Sequence, residues 1–359
     1  MKTSGSCGHA ASGEGRAFHV IYPEAVSGGT LSHEGEQALI DRIVRGLGGN
    51  GRRLRGCALG PGDDAAVLSA ARGMQWVVSC DWFLEQTHFL SRVHPPEVVG
   101  YKALARAASD LAAMGATPRF FLLALAVPES RTGKWLGEVL AGMARAARRL
   151  GLSLVGGDTS ARGAAGLCLT VIGEVPSGQA VTRRGARPGD KLFVSGALGQ
   201  AQLGLEVVLR GRWRQPSRQP LLQRHFYPQP RIELGRWLAQ NQLAAAMIDL
   251  SDGFSSDLHN LCRASGVGAR IISEQIPQVA VARTMGLRLD PLQLALHGGE
   301  DYELLFAVRA GHAHRIPAKF KGLPLTAVGE VTKSRAIRLV EPDGRAARLA
   351  ARGWDPFRR

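Results

Sequence analysis

The sequence predicts an α/β protein of two domains, and three observations support this fold class. The chain has 359 residues, which exceeds one domain of ordinary size and suits two. Continuous apolar segments, such as 120–127, alternate with amphipathic helical patterns, such as 130–150. A turn cluster, ARPGD at 186–190, interrupts this alternation, which then resumes. We therefore expect two α/β (or α+β) halves of roughly 150 residues each.

Each element is predicted from its apolar spacing and its flanking Gly or Pro residues. We expect a flexible extension rich in Gly, Ser and Ala at 1–30, a first domain at 31–178 and a second domain at 179–359. In the first domain the patterns predict helices at 34–47, 96–115 and 130–150 and a Gly/Arg loop at 51–62. They predict strands at 75–79, 120–127, 152–156 and 167–175. In the second domain they predict strands at 192–195, 245–250, 269–273, 303–308 and 325–331. They predict helices at 201–210, 231–240 and 251–265, the last directly after the strand at 245–250.

The composition excludes several classes of protein. Hydrophobic residues make up 45% of the chain and charged residues 21%, which is typical of a packed core and excludes wholesale disorder. The sequence contains no apolar run of about 18 residues, so we expect no membrane span. The five cysteines are scattered without a CxxC pair, which argues against a disulfide scaffold or a structural zinc site and fits a reducing cytoplasm.

The formal net charge of +15 raises the question of nucleic-acid binding. The arginines are spread along predicted helices and form no dense block, and aromatic residues are only 6% of the chain. Stacking platforms for single strands are therefore scarce, and no zinc-finger, RNP or basic-zipper pattern is present. These features disfavour nucleic acid and fit attraction for small anionic molecules.

Acidic residues cluster in glycine-containing turns, although bases outnumber acids in the chain. The segments are GPGDDAA (60–66), SCD (79–81), SD (109–110), GGDTS (156–160), IDLSDG (248–253) and HGGEDYE (297–303). For a single such acid, a helix cap or an Asx turn is the better explanation, and Asp252 is placed to cap a helix over 251–265. Six together favour a shared site at the ends of strands, because converging carboxylates repel one another unless a cation holds them. Oxygen ligands without a matching His/Cys set favour Mg²⁺, so the pattern predicts a phosphate site with several Mg²⁺ ions.

Two large classes of phosphate enzyme are excluded because their motifs are missing. The sequence has no GxxxxGK[ST] segment, which excludes the P-loop class, and no HRD and DFG pair with a glycine-rich loop, which excludes the protein-kinase class.

Eight segments in a fixed order resemble the thiamine-monophosphate kinase family: GPGDDAAV, SCDWFLEQTHF, YKALARAASDLAAMGATP, LVGGDTS, VTRRGARPGDKLFVSG, AMIDLSDGFSSDLHNL, LHGGEDYELLF and VGEV. The resemblance covers about residues 33–357. The wider superfamily, which includes aminoimidazole ribonucleotide synthetase and selenophosphate synthetase, shares a scaffold that binds ATP and Mg²⁺. The resemblance implies the two-domain aminoimidazole ribonucleotide synthetase-like fold, a homodimer whose N-terminal sheets pair, and ATP in a cleft between the domains.

The resemblance also implies roles for individual residues. The implied metal ligands are Asp64, Ser79, Cys80, Asp81, Asp110, Asp158, Asp249 and Asp252. The implied ATP contacts are Gly157, Asp158, Arg183 and Ser251, and the implied substrate contacts are His88, Glu300 and Trp354. Cys80 departs from the Ser-Thr pair of the family. A thiol is a poor Mg²⁺ ligand, so either the backbone carbonyl of Cys80 serves or that contact is lost.

The implied reaction transfers the γ-phosphoryl group of ATP to thiamine monophosphate and yields thiamine diphosphate and ADP. The acceptor is a phosphate oxygen, and because its second pKa is about 6 it is ionised near neutral pH and needs no general base. Repulsion between the acceptor phosphate and the triphosphate opposes the reaction, and several Mg²⁺ ions would screen it. We expect direct in-line transfer without a covalent catalytic residue.

Several of these side chains have simple structural explanations. His88 beside Phe89 is also consistent with a hydrogen-bonded structural histidine, and Trp354 with a cap on the core. Asp301 and Tyr302 fit a role in orienting Glu300. Lys102 and Lys191 are consistent either with anion contacts or with solvated bases.

Other activities stay open as alternatives. A selenophosphate synthetase would need a reactive Cys with a Lys near the N-terminus, and Cys7 lacks that Lys pattern. The hydrogenase-maturation relative needs a C-terminal Cys, whereas this chain ends in WDPFRR. The ring-closing purine enzyme is disfavoured by the match around His88 and Glu300. A non-catalytic basic nucleotide-binding or nucleic-acid-binding protein is kept open by the change at Cys80.

Overall fold

A computed structural model describes residues 36–47, 55–59, 66–211, 219–280 and 289–355. The predicted extension over 1–30 and the predicted metal ligand Asp64 lie outside these residues.

The first half of the chain builds a four-stranded sheet covered by helices. Its elements are α1 (Glu36–Gly46), β1 (Cys57–Leu59), β2 (Val67–Leu68), β3 (Met74–Leu84), α2 (Pro96–Ala113), β4 (Thr117–Val127), α3 (Lys134–Leu150), β5 (Ser153–Ala161) and β6 (Gly166–Pro176). The strand order is β3-β6-β4-β5, in which only the β4–β5 pair is parallel, while β1 and β2 form a separate hairpin. Helix α2 begins with Pro96 in its first turn, where a missing N–H is harmless, and nearly all of its side chains are buried.

Helices α2 and α3 cross with their backbones in contact, because each carries a glycine at the crossing. A Cβ atom on Gly100 would lie 1.8 Å from the carbonyl oxygen of Val139, and one on Gly142 would lie 1.9 Å from that of Glu97. No side chain fits there, so these two glycines set the distance between the two helices.

The Gly142→Ala variant is expected to lose about 3 kcal/mol of unfolding free energy, because the added methyl group must push the two backbones apart. Gly137→Ala, in the same helix, is the matched control. Gly137 is exposed, and a Cβ there meets no described atom within 4 Å, so this change should stabilise by about 1 kcal/mol through helix propensity. Urea unfolding of both variants measures the difference, and equal effects would contradict the tight crossing.

The second half builds an eight-stranded, mostly antiparallel sheet. Its elements are β7 (Lys191–Ser195), α4 (Gln200–Leu209), α5 (Gln219–Phe226), α6 (Ile232–Gln240), β8 (Ala244–Asp249), α7 (Phe254–Ser265), β9 (Gly268–Ile272), α8 (Pro291–His297), β10 (Leu304–Val308), β11 (Lys319–Phe320), β12 (Leu323–Thr332), β13 (Ile337–Val340) and β14 (Ala346–Arg348). The strand order is β14-β13-β9-β12-β7-β10-β8, with β11 paired to β12. Strand β10 (LLFAV), between β7 and the edge strand β8, is buried at every position, as expected of a strand covered on both faces.

The mixed α/β class and most of the elements predicted from the sequence are confirmed, with three kinds of difference. Strands β3 and β5 run to Leu84 and Ala161, five residues beyond the predicted ends at 79 and 156, so Asp81 and Asp158 lie inside strands and not at their ends. The helix predicted from 251 begins at Phe254. Helices α5 and α8 and the short strands β1, β2, β11, β13 and β14 were not predicted, because their apolar runs are brief, and β1 lies within the segment predicted as a Gly/Arg loop. None of the helices in the described ranges is both long enough and apolar enough to cross a membrane.

Candidate active site

Both halves of the chain line one cavity of about 650 Å³. Eleven of the thirteen predicted site residues that the structure describes are among its lining residues: Ser79, Cys80, Asp81, His88, Asp110, Arg183, Asp249, Ser251, Asp252, Glu300 and Trp354. The other two, Gly157 and Asp158, lie on β5, at the opposite edge of the first sheet from β3, and do not line it. Asp158 is exposed and accepts a hydrogen bond from the backbone N–H of Thr159 at 2.9 Å. Their metal and ATP roles stay predictions.

Four carboxylates reach the cavity from three different elements. Asp81 comes from β3 and Asp110 from the last turn of α2, where the hydroxyl of Ser79 donates a hydrogen bond to the Asp110 carboxylate. Because side chains alternate along a strand, Ser79 and Asp81 lie on the same face of β3. Asp249 ends β8, and Asp252 follows three residues later, so the end of one buried strand supplies both. These acids converge although none of them follows the simple rule of parallel strand ends, since β8 pairs antiparallel with β10 and β3 antiparallel with β6.

Burial and mutual repulsion make the acidic cluster unfavourable by itself. Burial, followed by the charge of Asp110, raises the pKa of Asp249 to about 7. Burial also raises the pKa of Asp81 and of Asp252, and the guanidinium of Arg106 opposes both shifts. A bound cation would relieve this repulsion.

The donor set of the cluster fits Mg²⁺. The groups that face the cavity here are carboxylate and hydroxyl oxygens, which hard cations prefer. In the described ranges, no three His, Cys, Asp or Glu side chains lie close enough together to hold an ion by themselves. An ion bound by one or two of these carboxylates would need water or substrate phosphates to complete its shell, as is common for Mg²⁺.

Asp252 does not cap the following helix, which corrects the structural alternative raised from the sequence. The residue before α7 is Gly253, at a φ of 111° that favours glycine, and it makes no side-chain cap. Instead, the carboxylate of Asp257 accepts hydrogen bonds from the backbone N–H groups of Asp252 and Gly253, each at 3.1 Å. The Asp252 carboxylate is thereby left for the cavity.

Glu300 is held at the cavity wall by Lys102, one of the two lysines considered as anion contacts, and by two histidines that the sequence did not identify. Its Oε2 atom accepts a hydrogen bond from the Lys102 ammonium at 2.7 Å and lies 3.2 Å from Nδ1 of His225. Nε2 of His225 lies 3.1 Å from Nε2 of His94, whose Nδ1 accepts from the backbone N–H of Leu90 at 3.2 Å. One proton assignment satisfies the whole chain: His94 donates from Nε2 to His225, and His225 donates from Nδ1 to Glu300.

The protonation states of the groups in this series of hydrogen bonds are consistent with that assignment. Burial lowers the pKa of His225, and burial together with the charge of Lys102 lowers that of His94 to about 3, so both imidazoles are neutral at pH 7. Burial alone would raise the pKa of Glu300, but Lys102 and His225 outweigh it and hold the pKa below its ordinary value. Lys102 is therefore a buried ion-pair partner of Glu300 and not a solvated base, the second role that the sequence had left open for it. A lysine inside the apolar stretch YKALA was the available signal.

Two aromatic rings, those of His88 and Trp354, line the cavity together with Glu300. The rings of His88 and Trp354 are 5.6 Å apart between centroids, and Trp354 is 46% exposed. The backbone N–H of Leu84 donates to Nδ1 of His88 at 3.0 Å, and burial, followed by the charge of Arg106, lowers the pKa of His88 to about 4. A neutral imidazole and an exposed indole offer flat surfaces to a heterocycle.

The side chain of Cys80 is directed away from the acids. Its Sγ atom lies 3.3 Å from Sγ of Cys168 and accepts a hydrogen bond from the hydroxyl of Thr170 at 3.5 Å, both on the neighbouring strand β6. The thiol thus lies on the opposite face of β3 from Ser79 and Asp81. This favours the backbone carbonyl as the group of Cys80 that serves the cavity.

The chain matches known proteins over most of its length. Residues 62–175 match the family model of the AIR synthase related protein, N-terminal domain, and residues 187–341 match that of the C-terminal domain. The thiamine-monophosphate kinase of Bacillus subtilis is 36% identical over 309 residues, which cover 84% of this chain and 94% of the relative. That of Escherichia coli K12 is 36% identical over 307 residues, covering 83% and 92%.

Solved structures agree. The thiamine-monophosphate kinase of Stenotrophomonas maltophilia superposes with a TM-score of 0.74 at 34% identity, over 86% of this chain and 96% of that one. The structure of AaThiL complexed with AMPPCP and TMP gives 0.71 at 31% identity, over 91% and 98%. Escherichia coli HypE, a hydrogenase maturation protein, gives 0.68 at 22% identity over 88% and 98%, which shows the shared fold alone. With relatives this similar along nearly their whole length, the chain belongs to the thiamine-monophosphate kinase family.

Proposed function

We propose that the protein transfers the γ-phosphoryl group of ATP to thiamine monophosphate, giving thiamine diphosphate and ADP. The observation that carries this proposal is the make-up of one cavity, in which a cluster of four carboxylates adjoins a subsite formed by His88, Glu300 and Trp354. The first group suits metal-bound phosphates and the second suits a heterocycle with polar edges. A family member of the same fold binds AMPPCP, an analogue of ATP, together with TMP.

Different residues of this chain bind the triphosphate, the acceptor and the metal ions. Arg183 lies near Asp249 and Asp252 and offers a forked donor to the triphosphate, while Glu300 and the aromatic pair orient the acceptor. Asp81, Asp110, Asp249 and Asp252, with Asp64 and Asp158 as further predicted ligands, would hold Mg²⁺. Bound there, Mg²⁺ would screen the charge of the phosphates.

The chemistry then needs orientation more than proton transfer. A bond forms between an acceptor phosphate oxygen and the γ-phosphorus, and the bond from that phosphorus to the β,γ-bridging oxygen breaks. The acceptor oxygen is already ionised near pH 7, so no side chain has to remove a proton. No phosphoenzyme is expected.

The proposal is tested by a turnover assay. Purified protein, ATP and Mg²⁺ are incubated with thiamine monophosphate or with free thiamine, and thiamine diphosphate is quantified by chromatography. We expect product from the monophosphate only, and no radiolabel from γ-labelled ATP on the denatured protein. A folded protein that binds ATP but forms no product would contradict the proposed reaction, and retained label would contradict direct transfer.

We further propose a homodimer formed through the first sheet. Strand β3 is at an edge of that sheet, and on its face opposite Ser79 and Asp81 it exposes Val78 and Trp82, at 58% and 56%. Two large apolar side chains on one exposed strand favour a protein contact. Sedimentation should give twice the chain mass, and Trp82→Glu should shift the protein toward the monomer. A monomeric wild type would contradict this.

A further inference from the structure

The side chain of Arg106 is buried in the cavity wall with donors that the protein does not satisfy. It lies on α2 four residues before Asp110, so both project from the same face of the helix, and its side chain is only 15% exposed. Its Nε and Nη1 atoms are fully buried, and no acceptor of the described chain lies within hydrogen-bond distance of either. The carboxylate oxygen Oδ2 of Asp81 is 3.8 Å from Nε, which is too long for a hydrogen bond.

Packing against an aromatic ring accounts for the burial of the flat face of this guanidinium, but it provides no hydrogen-bond acceptor for the N–H groups at its edge. The Cζ atom of Arg106 lies 5.4 Å from the centre of the Phe83 ring, as in a cation–π contact. Such a contact leaves the in-plane N–H groups without acceptors. Buried donors of a charged group are normally hydrogen-bonded, and leaving them unpaired is costly, so an acceptor from outside the described chain is the simplest explanation.

The position of Arg106 indicates what that acceptor is. Oδ2 of Asp81, which belongs to the acidic cluster, lies 3.8 Å from the Nε atom of Arg106. The ring of Phe83, against which the guanidinium packs, lies 5.8 Å from the ring of His88 in the heterocycle subsite, and Glu300 and Tyr302 line the same cavity. Arg106 therefore lies at the junction of the acidic cluster and the heterocycle subsite. An acceptor whose heterocycle contacts Glu300 and whose phosphate meets the γ-phosphoryl group must pass this point.

We propose that Arg106 binds the phosphate group of the acceptor, through N–H donors of its guanidinium fork, and so makes the site selective for a phosphorylated heterocycle. This inference rests on the proposed function, because it takes the acceptor subsite from it. A planar guanidinium matches two phosphate oxygens at once, and a lysine at the same point would supply only a point charge. Arg183, the other arginine of the cavity, acts on Asp249 and Asp252 and is assigned to the triphosphate.

The test compares two ligands that differ only by the phosphate. Dissociation constants for thiamine and for thiamine monophosphate are measured by calorimetry in Mg²⁺ buffer without ATP, so no turnover is needed. The proteins are the wild type, Arg106→Met, Arg106→Lys and the matched control Arg183→Met. Methionine keeps the packing on Phe83 and removes the donors.

We expect the wild type to prefer the monophosphate and Arg106→Met to lose roughly tenfold or more of that preference, since charge-assisted hydrogen bonds are lost. Its affinity for thiamine should be unchanged, Arg106→Lys should keep part of the preference, and Arg183→Met should keep all of it. Equal weakening of both ligands in Arg106→Met would show a structural role and overturn the inference, as would an intact preference in Arg106→Met and Arg106→Lys alike. A wild type that binds neither ligand would instead overturn the proposed function on which the inference rests.

Discussion

Replacing Asp110 by Asn is expected to lower the turnover of thiamine monophosphate by about 10³-fold or more while the protein stays folded. Asp110 faces the other acids of the cluster, since its charge contributes to the raised pKa of Asp81, of Asp249 and of Asp252. Asn has the same shape and keeps an oxygen for the Ser79 hydroxyl, so the geometry of the last turn of α2 should persist. What is lost is the charge that attracts a cation at the centre of the cluster.

The same substitution should raise stability where it abolishes activity. Without a bound cation, the like charges of the cluster oppose folding, so removing one of them should increase the melting temperature of Asp110→Asn in Mg²⁺-free buffer. The control is Asp343→Asn, which removes one exposed carboxylate that pairs with Arg345 and should change neither quantity appreciably. Full turnover in Asp110→Asn, or a melting temperature that falls, would contradict the role of Asp110 as a charge required for cation binding.

The sequence indicated the acidic side of the site well, because glycine turns with adjacent acids are local patterns. The segments SCD, SD and IDLSDG each contributed residues to the observed cavity. The ends of parallel strands do not explain their convergence, because Asp81 lies inside β3 and the two sheets are mostly antiparallel. What brings Asp81 and Asp110 together is the packing of α2 on the first sheet, a contact between distant segments that no single motif reveals.

Arg183 was predicted from the sequence, but the ion pair of Lys102 with Glu300 and the place of Arg106 in the cavity were missed for a physical reason. Lys102 and its partner Glu300 are 198 residues apart in the chain, and no local pattern shows that one neutralises the other. A charged residue in an apolar helix is ambiguous from sequence, because a long side chain can reach solvent. The spacing of Lys102, Arg106 and Asp110, four residues apart on one helix, was nevertheless a usable signal, since it places three charges on a single face.

Replacing Lys102 by Met is expected to reduce the unfolding free energy by about 3 kcal/mol at pH 7, because it leaves the Glu300 carboxylate beside the core without its ammonium. The pH dependence carries a definite sign. The pKa of Glu300 is depressed by folding, so its ionisation stabilises the protein above the ordinary carboxyl pKa of 4.5, and this stabilisation is lost as the pH falls. The difference between wild type and Lys102→Met should therefore shrink on acidification below about pH 4, as urea unfolding at a series of pH values would measure.

A double-mutant cycle separates the ion pair from simple loss of packing. Gln at position 300 needs no counter-ion, so Lys102→Met combined with Glu300→Gln should recover a large part of the stability lost in Lys102→Met alone, with a coupling of about 2 kcal/mol. The matched control is Lys191→Met, which breaks an ion pair of similar length, 2.9 Å to Glu330, between side chains that are 44% and 38% exposed. That change should cost no more than about 0.5 kcal/mol, because water screens exposed charges. If Lys102→Met were as mild as Lys191→Met, or the double variant no more stable than the single one, Lys102 would not be the charge that keeps Glu300 ionised at the cavity wall.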